Sequence, residues 1–138
     1  MVPGEPFRFE TRIRFIDTDA SGRIHYTAMF RYFEAAEIEF MRSLGVRYET
    51  QFGLPRVHVE CDFLVELGYD DLIVIEVFLT KLGRSSIRLE FNGKKQGELA
   101  ARGAVVVVCT DKKLKRAIPI PDEFRARLQT ALSPGGDR

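Results

Sequence analysis

The sequence predicts an α+β domain in which one curved antiparallel β-sheet wraps around a single long α-helix. Three observations carry that prediction. Residues 27–44 form the only long stretch of helical amphipathicity, an alternating strand precedes it, and residues 54–110 read as long strands separated by short turns. A sheet with one apolar face needs cover, and this helix is the one element long enough to supply it.

The elements follow in order. In residues 7–16, FRFETRIRFI, Phe7, Phe9, Ile13 and Phe15 alternate with charged residues, the period of a half-exposed strand. Residues 17–22 supply turn chemistry. From Thr27 to Leu44 the positions Met29, Phe33, Ala36, Phe40 and Leu44 recur at spacings of three and four, with Thr27 as the expected N-cap and Gly45 as the stop. Glu37 falls at the margin of that apolar face, whereas Glu34 lies on the solvent side. Arg56 to Leu67 alternates Val57, Val59, Cys61, Phe63, Val65 and Leu67 with polar residues, a one-sided strand. Leu72 to Leu82 is apolar on both faces and reads as central. Ser85 to Phe91 alternates again, Asn92-Gly93 marks a turn with a few more loop residues through Gly97, and Glu98 to Thr110 is a valine-rich return strand. The run DKKLKR, residues 111–116, reads as a solvated turn, and acids at 122 and 123 open a short helix.

At 138 residues the chain fits one domain over 1–138, with a core over 6–121, a C-terminal helix over 122–132 and a frayed tail over 133–138. Lys+Arg 21 against Asp+Glu 20 leaves a net charge of +1, which gives no global pull toward nucleic acid or an anionic membrane. Neither Cys61 nor Cys109 has a second Cys or His at metal-ligand spacing, so both read as reduced thiols of a cytoplasmic protein without a metal. The opening MVPGEPFRFE has no basic region followed by an apolar one, and the longest apolar run, 104–109, is too short to span a bilayer.

The chemistry-bearing stretch is IDTDASGRIHY, residues 16–26. On pattern alone, Asp19 is either an Asx-turn residue or a catalyst. A carboxylate beside a helix start can act as nucleophile or general base, while free backbone N–H groups there hold a developing oxyanion.

Residues 17–26, DTDASGRIHY, are similar to the signature DTD-x-x-G-x-V-x-Y of the hotdog-fold acyl-CoA thioesterases, specifically the 4-hydroxybenzoyl-CoA thioesterase family. The segments DFLVELGYDD (62–71) and GRSS (83–86) resemble that family's following strand, turn and serine segment. The likeness runs from Phe7 to Pro121. Two departures, Val65-Glu66-Leu67 where many members carry proline and Met29 or Phe30 where several carry tyrosine, bear on acyl specificity more than on fold.

The resemblance implies a hotdog fold and hydrolysis of an acyl-CoA, with coenzyme A as part of the substrate and no other cofactor. It gives Asp19 the attacking or base role, leaving open a mixed anhydride or an activated water, and makes the Tyr26 N–H the oxyanion donor, with Gly22 or His25 shaping the loop and His25 open between a catalytic role and a packing or hydrogen-bonding one. Asp17 becomes structural. Glu34 and Glu37 are candidates for the acyl pocket, with a solvated face as the alternative for Glu34 and an Arg pair at an interface as the alternative for Glu37. Lys81, Arg84, Ser85 and Ser86 lie where the family surrounds pantetheine and nucleotide. Edge-to-edge sheet pairing implies a homodimer or homotetramer. Two rivals share the fold: an enoyl-thioester hydratase or dehydratase using His25 or His58, and a non-catalytic acyl-CoA binding module.

Overall fold

The computed structural model describes residues 5–47 and 52–133, so the expected tail lies outside the described residues from position 134 onward. In chain order the elements are β1 (Phe7–Arg12), α1 (Met29–Ser43), β2 (Phe52–Gly53), β3 (Arg56–Phe63), β4 (Leu72–Leu82), β5 (Ser86–Lys95), β6 (Glu98–Val108), β7 (Thr110–Asp111) and α2 (Asp122–Gln129). The main sheet has the order β1-β4-β5-β6-β3 and is antiparallel throughout, while β2 and β7 form a small ribbon.

The inner face of this sheet meets α1, the hotdog arrangement. Met29, Phe33, Ala36 and Phe40 of α1 are buried against Ile73, Ile75, Val77 and Leu79 of β4 and Ile87, Leu89 and Phe91 of β5. Phe33 stacks on Phe91 with ring centroids 4.8 Å apart. Each such side chain contributes about 1.5–3 kcal/mol through burial. The helix sits this close because β6 has glycine beneath it: a Cβ on Gly103 would stand 2.4 Å from Phe33 Cε2.

Both ends of α1 are informative. At its C-terminus Gly45 takes φ +76°, its N–H donates to the Arg42 carbonyl at 2.9 Å, and the Val46 N–H donates to the Met41 carbonyl at 2.9 Å, the paired bonds of a Schellman stop. At the N-terminus the expected cap fails. The cap position is Ala28, without a side-chain bond, because the Thr27 hydroxyl is engaged with His25 Nδ1 at 2.7 Å. Helix α1 therefore starts at Met29, and Tyr26 belongs to the turn leading into it.

Three other expectations are corrected. The first strand ends at Arg12, because a short 3-10 turn over Phe15–Asp17 exposes Phe15 and buries Asp17. The turn after β5 is Gln96-Gly97, with φ of +52° and +80°, at the end of the expected loop, while Asn92-Gly93 at its expected start belongs to the strand. Gly93 is a buried strand residue whose Cβ would approach Met29 Cε at 3.2 Å. Finally, β3 stops at Phe63, and its expected inward side is open: Val57, Val59 and Phe63 are 61%, 46% and 46% exposed. β3 is an edge strand, and among the described residues no element covers its Val57, Val59 and Phe63 side.

Candidate active site

The loop between β1 and α1 is anchored by Asp17, which is 2% exposed. Its Oδ2 accepts from the Tyr32 hydroxyl at 2.5 Å, its Oδ1 accepts from Arg31 Nη2, and Arg14 Nε lies 3.4 Å from Oδ2. Burial by itself would raise the Asp17 pKa, but the Tyr32 and Arg31 bonds and the Arg31 and Arg14 charges outweigh it and hold the carboxyl below its ordinary value. Burial and the Asp17 bond push the Tyr32 phenol up, so it remains a donor. Asp17 is thus committed on every side and is not open to a substrate.

Asp19 is different in kind, being exposed. Its Oδ1 accepts from the Ser21 N–H at 2.8 Å and the Ser21 hydroxyl at 2.5 Å, an Asx turn, while Oδ2 meets no partner among the described residues. Those Ser21 bonds, followed by the His25 and Arg23 charges, lower its pKa. The turn closes with the Asp19 N–H on the Arg23 carbonyl at 2.9 Å and the Gly22 N–H on the Asp19 carbonyl at 3.0 Å. Gly22 has φ +83°, which explains glycine there.

The loop returns through His25, whose N–H donates to the Asp17 carbonyl at 2.8 Å. The His25 ring stacks on Tyr26 at 4.8 Å, and its Nδ1 is held by the Thr27 hydroxyl. The Tyr26 ring is 70% exposed, and among the described residues its N–H has no acceptor. An open carboxylate oxygen and an open amide therefore sit on one short loop at the start of α1, where the helix dipole favours negative charge.

One depression borders this loop and a second lies further along α1. The first, of about 290 Å³, is lined by Arg23, Ile24, Tyr26, Phe63, Leu64 and Leu67. The other, of about 160 Å³, lies between α1 and β3 and includes Phe30, Glu34, Glu37, Arg56, Val59 and Val105. Here Glu37 is fully buried rather than marginal, with Oε2 2.6 Å from Arg56 Nη2, and the exposed Glu34 reaches the same nitrogen at 3.5 Å.

Lys81, Arg84, Ser85 and Ser86 do not join Asp19 within one chain. They occupy the β4–β5 hairpin, whereas the Asp19 loop bridges Gly68 at the other end of β4. The ten-residue step along that strand spans about 33 Å. The hairpin backbone is already occupied: the Gly83 and Arg84 carbonyls accept from Arg125 Nη2 at 2.6 and 3.1 Å, and the Ser85 carbonyl accepts from the Cys109 N–H at 2.7 Å. The run 112–116 forms an exposed turn, as expected, with Asp111 Oδ1 accepting from the Lys113 and Leu114 amides. Among the described residues no three His, Cys, Asp or Glu side chains cluster in a way that would hold a metal ion.

Sequence reasoning missed Tyr32, Arg31 and Arg56. The first left a faint signal, a phenol on the buried side of the helix; the two arginines left none.

Residues 13–128 match the family model of the thioesterase-like superfamily. The chain belongs to that superfamily. It is 26% identical over 129 residues to the 1,4-dihydroxy-2-naphthoyl-CoA hydrolase of Synechococcus elongatus, covering 89% of this chain and 95% of that one. It is also 25% identical over 125 residues to the acyl-CoA thioesterase YbgC of Haemophilus influenzae, covering 87% and 92%. Among solved structures, the gentisyl-coenzyme A thioesterase BH1999 superposes with a TM-score of 0.80 at 27% identity, covering 87% of this chain and 98% of that chain. This superfamily member is thus a thioester hydrolase on the hotdog fold. Among its described residues no helix is long and apolar enough to cross a membrane.

Proposed function

We propose that the protein hydrolyses an acyl-CoA thioester to the free acid and coenzyme A, with Asp19 as the attacking carboxylate. The observation that carries this reading is the pairing of an unclaimed Asp19 Oδ2 with an unclaimed Tyr26 N–H on the loop that opens α1. The relatives' activities, on naphthoyl-, gentisyl- and other acyl-CoA esters, support the substrate class.

The depressed pKa of Asp19 bears on its role. A general base works best with a pKa near the operating pH, and Ser21 moves this carboxylate the other way. Direct attack makes better use of a permanently ionised oxygen. Oδ2 adds to the thioester carbon, the Tyr26 N–H stabilises the carbonyl oxygen as it gains charge, and the C–S bond breaks to release the CoA thiolate. Water then cleaves the resulting anhydride, giving the acid and restoring the carboxylate.

Two copies complete the site in this reading. The open β3 edge, with Val57, Val59 and Phe63 exposed beside the cleft of Glu34, Glu37 and Arg56, supports pairing of β3 with its counterpart in a second protomer. A CoA substrate and two free thiols fit a cytoplasmic location.

The test is thiol release from a panel of aromatic and aliphatic acyl-CoA esters, with light scattering for the assembly. Asp19→Asn is expected to lower kcat by about 10²-fold or more. Full-rate cleavage by that variant on every ester overturns the assignment of Asp19.

A further inference from the structure

We propose that Tyr32 is a positioning residue for thioester cleavage: acting through Asp17, its hydroxyl fixes the Asp19 turn and the Tyr26 amide against the start of α1. This inference rests on the reading of Asp19 as the attacking carboxylate.

Asp19 and Tyr26 have no side-chain bond that ties them to the helix. Asp19 is held only within its own turn, by Ser21 and by its backbone bonds to Gly22 and Arg23. The tie is Asp17, which grips both strands of the loop. Its peptide carbonyl takes the His25 N–H at 2.8 Å, and the Thr18–Ile24 bridge continues the pairing one residue further. Its side chain leaves the loop altogether and meets α1, with one oxygen on Tyr32 and the other on Arg31. The Tyr32 hydroxyl does double duty, donating to Asp17 Oδ2 at 2.5 Å while accepting the Arg14 N–H at 2.9 Å. One phenol oxygen in the second turn of α1 therefore fixes the chain on entry to the loop, at Arg14, and the pivot of the loop itself, at Asp17.

The reaction is sensitive to that placement. Attack requires the carboxylate oxygen and the carbonyl carbon at about 3–3.5 Å with aligned orbitals, and a displacement of about 1 Å costs about 10²-fold in rate. The Tyr32 ring is 5% exposed and packs in the core, so Tyr32→Phe removes one oxygen and little packing. Asp17 keeps Arg31 but loses its second tether, the Arg14 N–H loses its acceptor, and the loop, still fastened by the Ile24 N–H on the Leu67 carbonyl at 2.7 Å and by the Arg23–Gly68 bridge, can shift relative to α1 about that fastening. Substrate binding surfaces outside the loop are untouched, so the loss falls on kcat.

The experiment measures kcat, KM and the thermal midpoint of the full chain for Tyr32→Phe, Arg31→Gln and Asp19→Asn on the best acyl-CoA ester, well below each midpoint. The expected result for Tyr32→Phe is a kcat lowered about 10- to 100-fold with KM changed by less than about threefold. A lowered midpoint with full kcat overturns the proposal, because Tyr32 would then serve stability alone. Should Tyr32→Phe not fold, Arg31→Gln decides: its guanidinium is exposed, so a fall in kcat with an unchanged midpoint supports positioning through Asp17, and full kcat overturns it. Asp19→Asn separates the two levels of inference. An inactive Asp19→Asn beside a fully active Tyr32→Phe sinks only the positioning role, whereas a fully active Asp19→Asn sinks the reading beneath it.

Discussion

Arg56 of the edge strand β3 places its Nη2 2.6 Å from the Oε2 of Glu37, a carboxylate that is fully buried on α1. This pair fastens the open edge of the sheet to the central helix, and Glu34 adds a second carboxylate to the same guanidinium. Removing the cation takes a charged partner away from a fully buried carboxylate. Arg56→Ala is expected to destabilise the fold near the lower end of the roughly 3–5 kcal/mol seen when one partner of a buried pair is lost, since Arg56 keeps some solvent contact. Urea unfolding measures it. Arg56→Ala combined with Glu37→Gln should recover much of the loss, and a combination no better than the single variant would contradict the pairing.

Gly103 sets the distance between α1 and the sheet. A methyl there would meet Phe33 Cε2 at 2.4 Å and the Glu60 carbonyl oxygen at 2.8 Å, and the second contact is backbone that cannot swing aside. Gly103→Ala is therefore expected to cost the upper part of the 1–3 kcal/mol typical of overpacking, about 2–3 kcal/mol, read as a lower urea midpoint. Unchanged stability would mean that the helix has room to withdraw.

The cysteines should be inert in the native protein. Burial and then the neighbouring Asp62 push the Cys61 thiol up to about 12, and burial raises Cys109 as well. Because the thiolate is the reactive form, a chromogenic disulfide reagent at pH 8 should label neither residue on the minute timescale, and both once the chain is unfolded in guanidinium. Rapid labelling of the folded protein would contradict this.

Asp17 predicts a pH dependence of stability. Its folded pKa is depressed, so its contribution is fully present above the unfolded value of about 3.9 and is lost as pH falls through the lower folded value. The stability difference between the parent protein and Asp17→Asn, measured by denaturation from pH 7 down to pH 3, should be constant near neutrality and shrink below about pH 5. A difference that grows on acidification would reverse the sign.

What the sequence made legible follows from which interactions are periodic. β4 was readable at its full length, Leu72–Leu82, because both of its faces are covered. The stop of α1 was readable because glycine at C′ is a local rule. β3 misled because alternation reports a surface that something covers, and among the described residues Val57 and Val59 stay 61% and 46% exposed. Asn92-Gly93 misled because its glycine serves close approach by Met29 and not a turn. In the proposed site, Asp19 and Tyr26 lie in one contiguous motif, which is why the sequence points to them. The Tyr32 and Arg56 bonds were not legible, since they join residues 15 and 19 positions from their partners and depend on the tertiary fold.

Ser21 should control the acid limb of activity. Its N–H and hydroxyl both bond Asp19 Oδ1, and these bonds are the leading cause of the lowered Asp19 pKa. In the proposed mechanism the attacking form is the carboxylate, so the acid limb of kcat should lie below the ordinary aspartate value, where Asp19 takes up a proton. Ser21→Ala deletes the hydroxyl and keeps the N–H, which raises the carboxyl toward its usual value and moves the acid limb of kcat to higher pH. The plateau should fall as well, because the lost hydroxyl is one of the bonds that hold Asp19 in its turn, so the position of the acid limb is read separately from the height of the plateau. A pH profile of thiol release for the two proteins on one acyl-CoA ester reads the shift directly. An acid limb that stays in place, or moves to lower pH, would mean that a group other than Asp19 controls that limb.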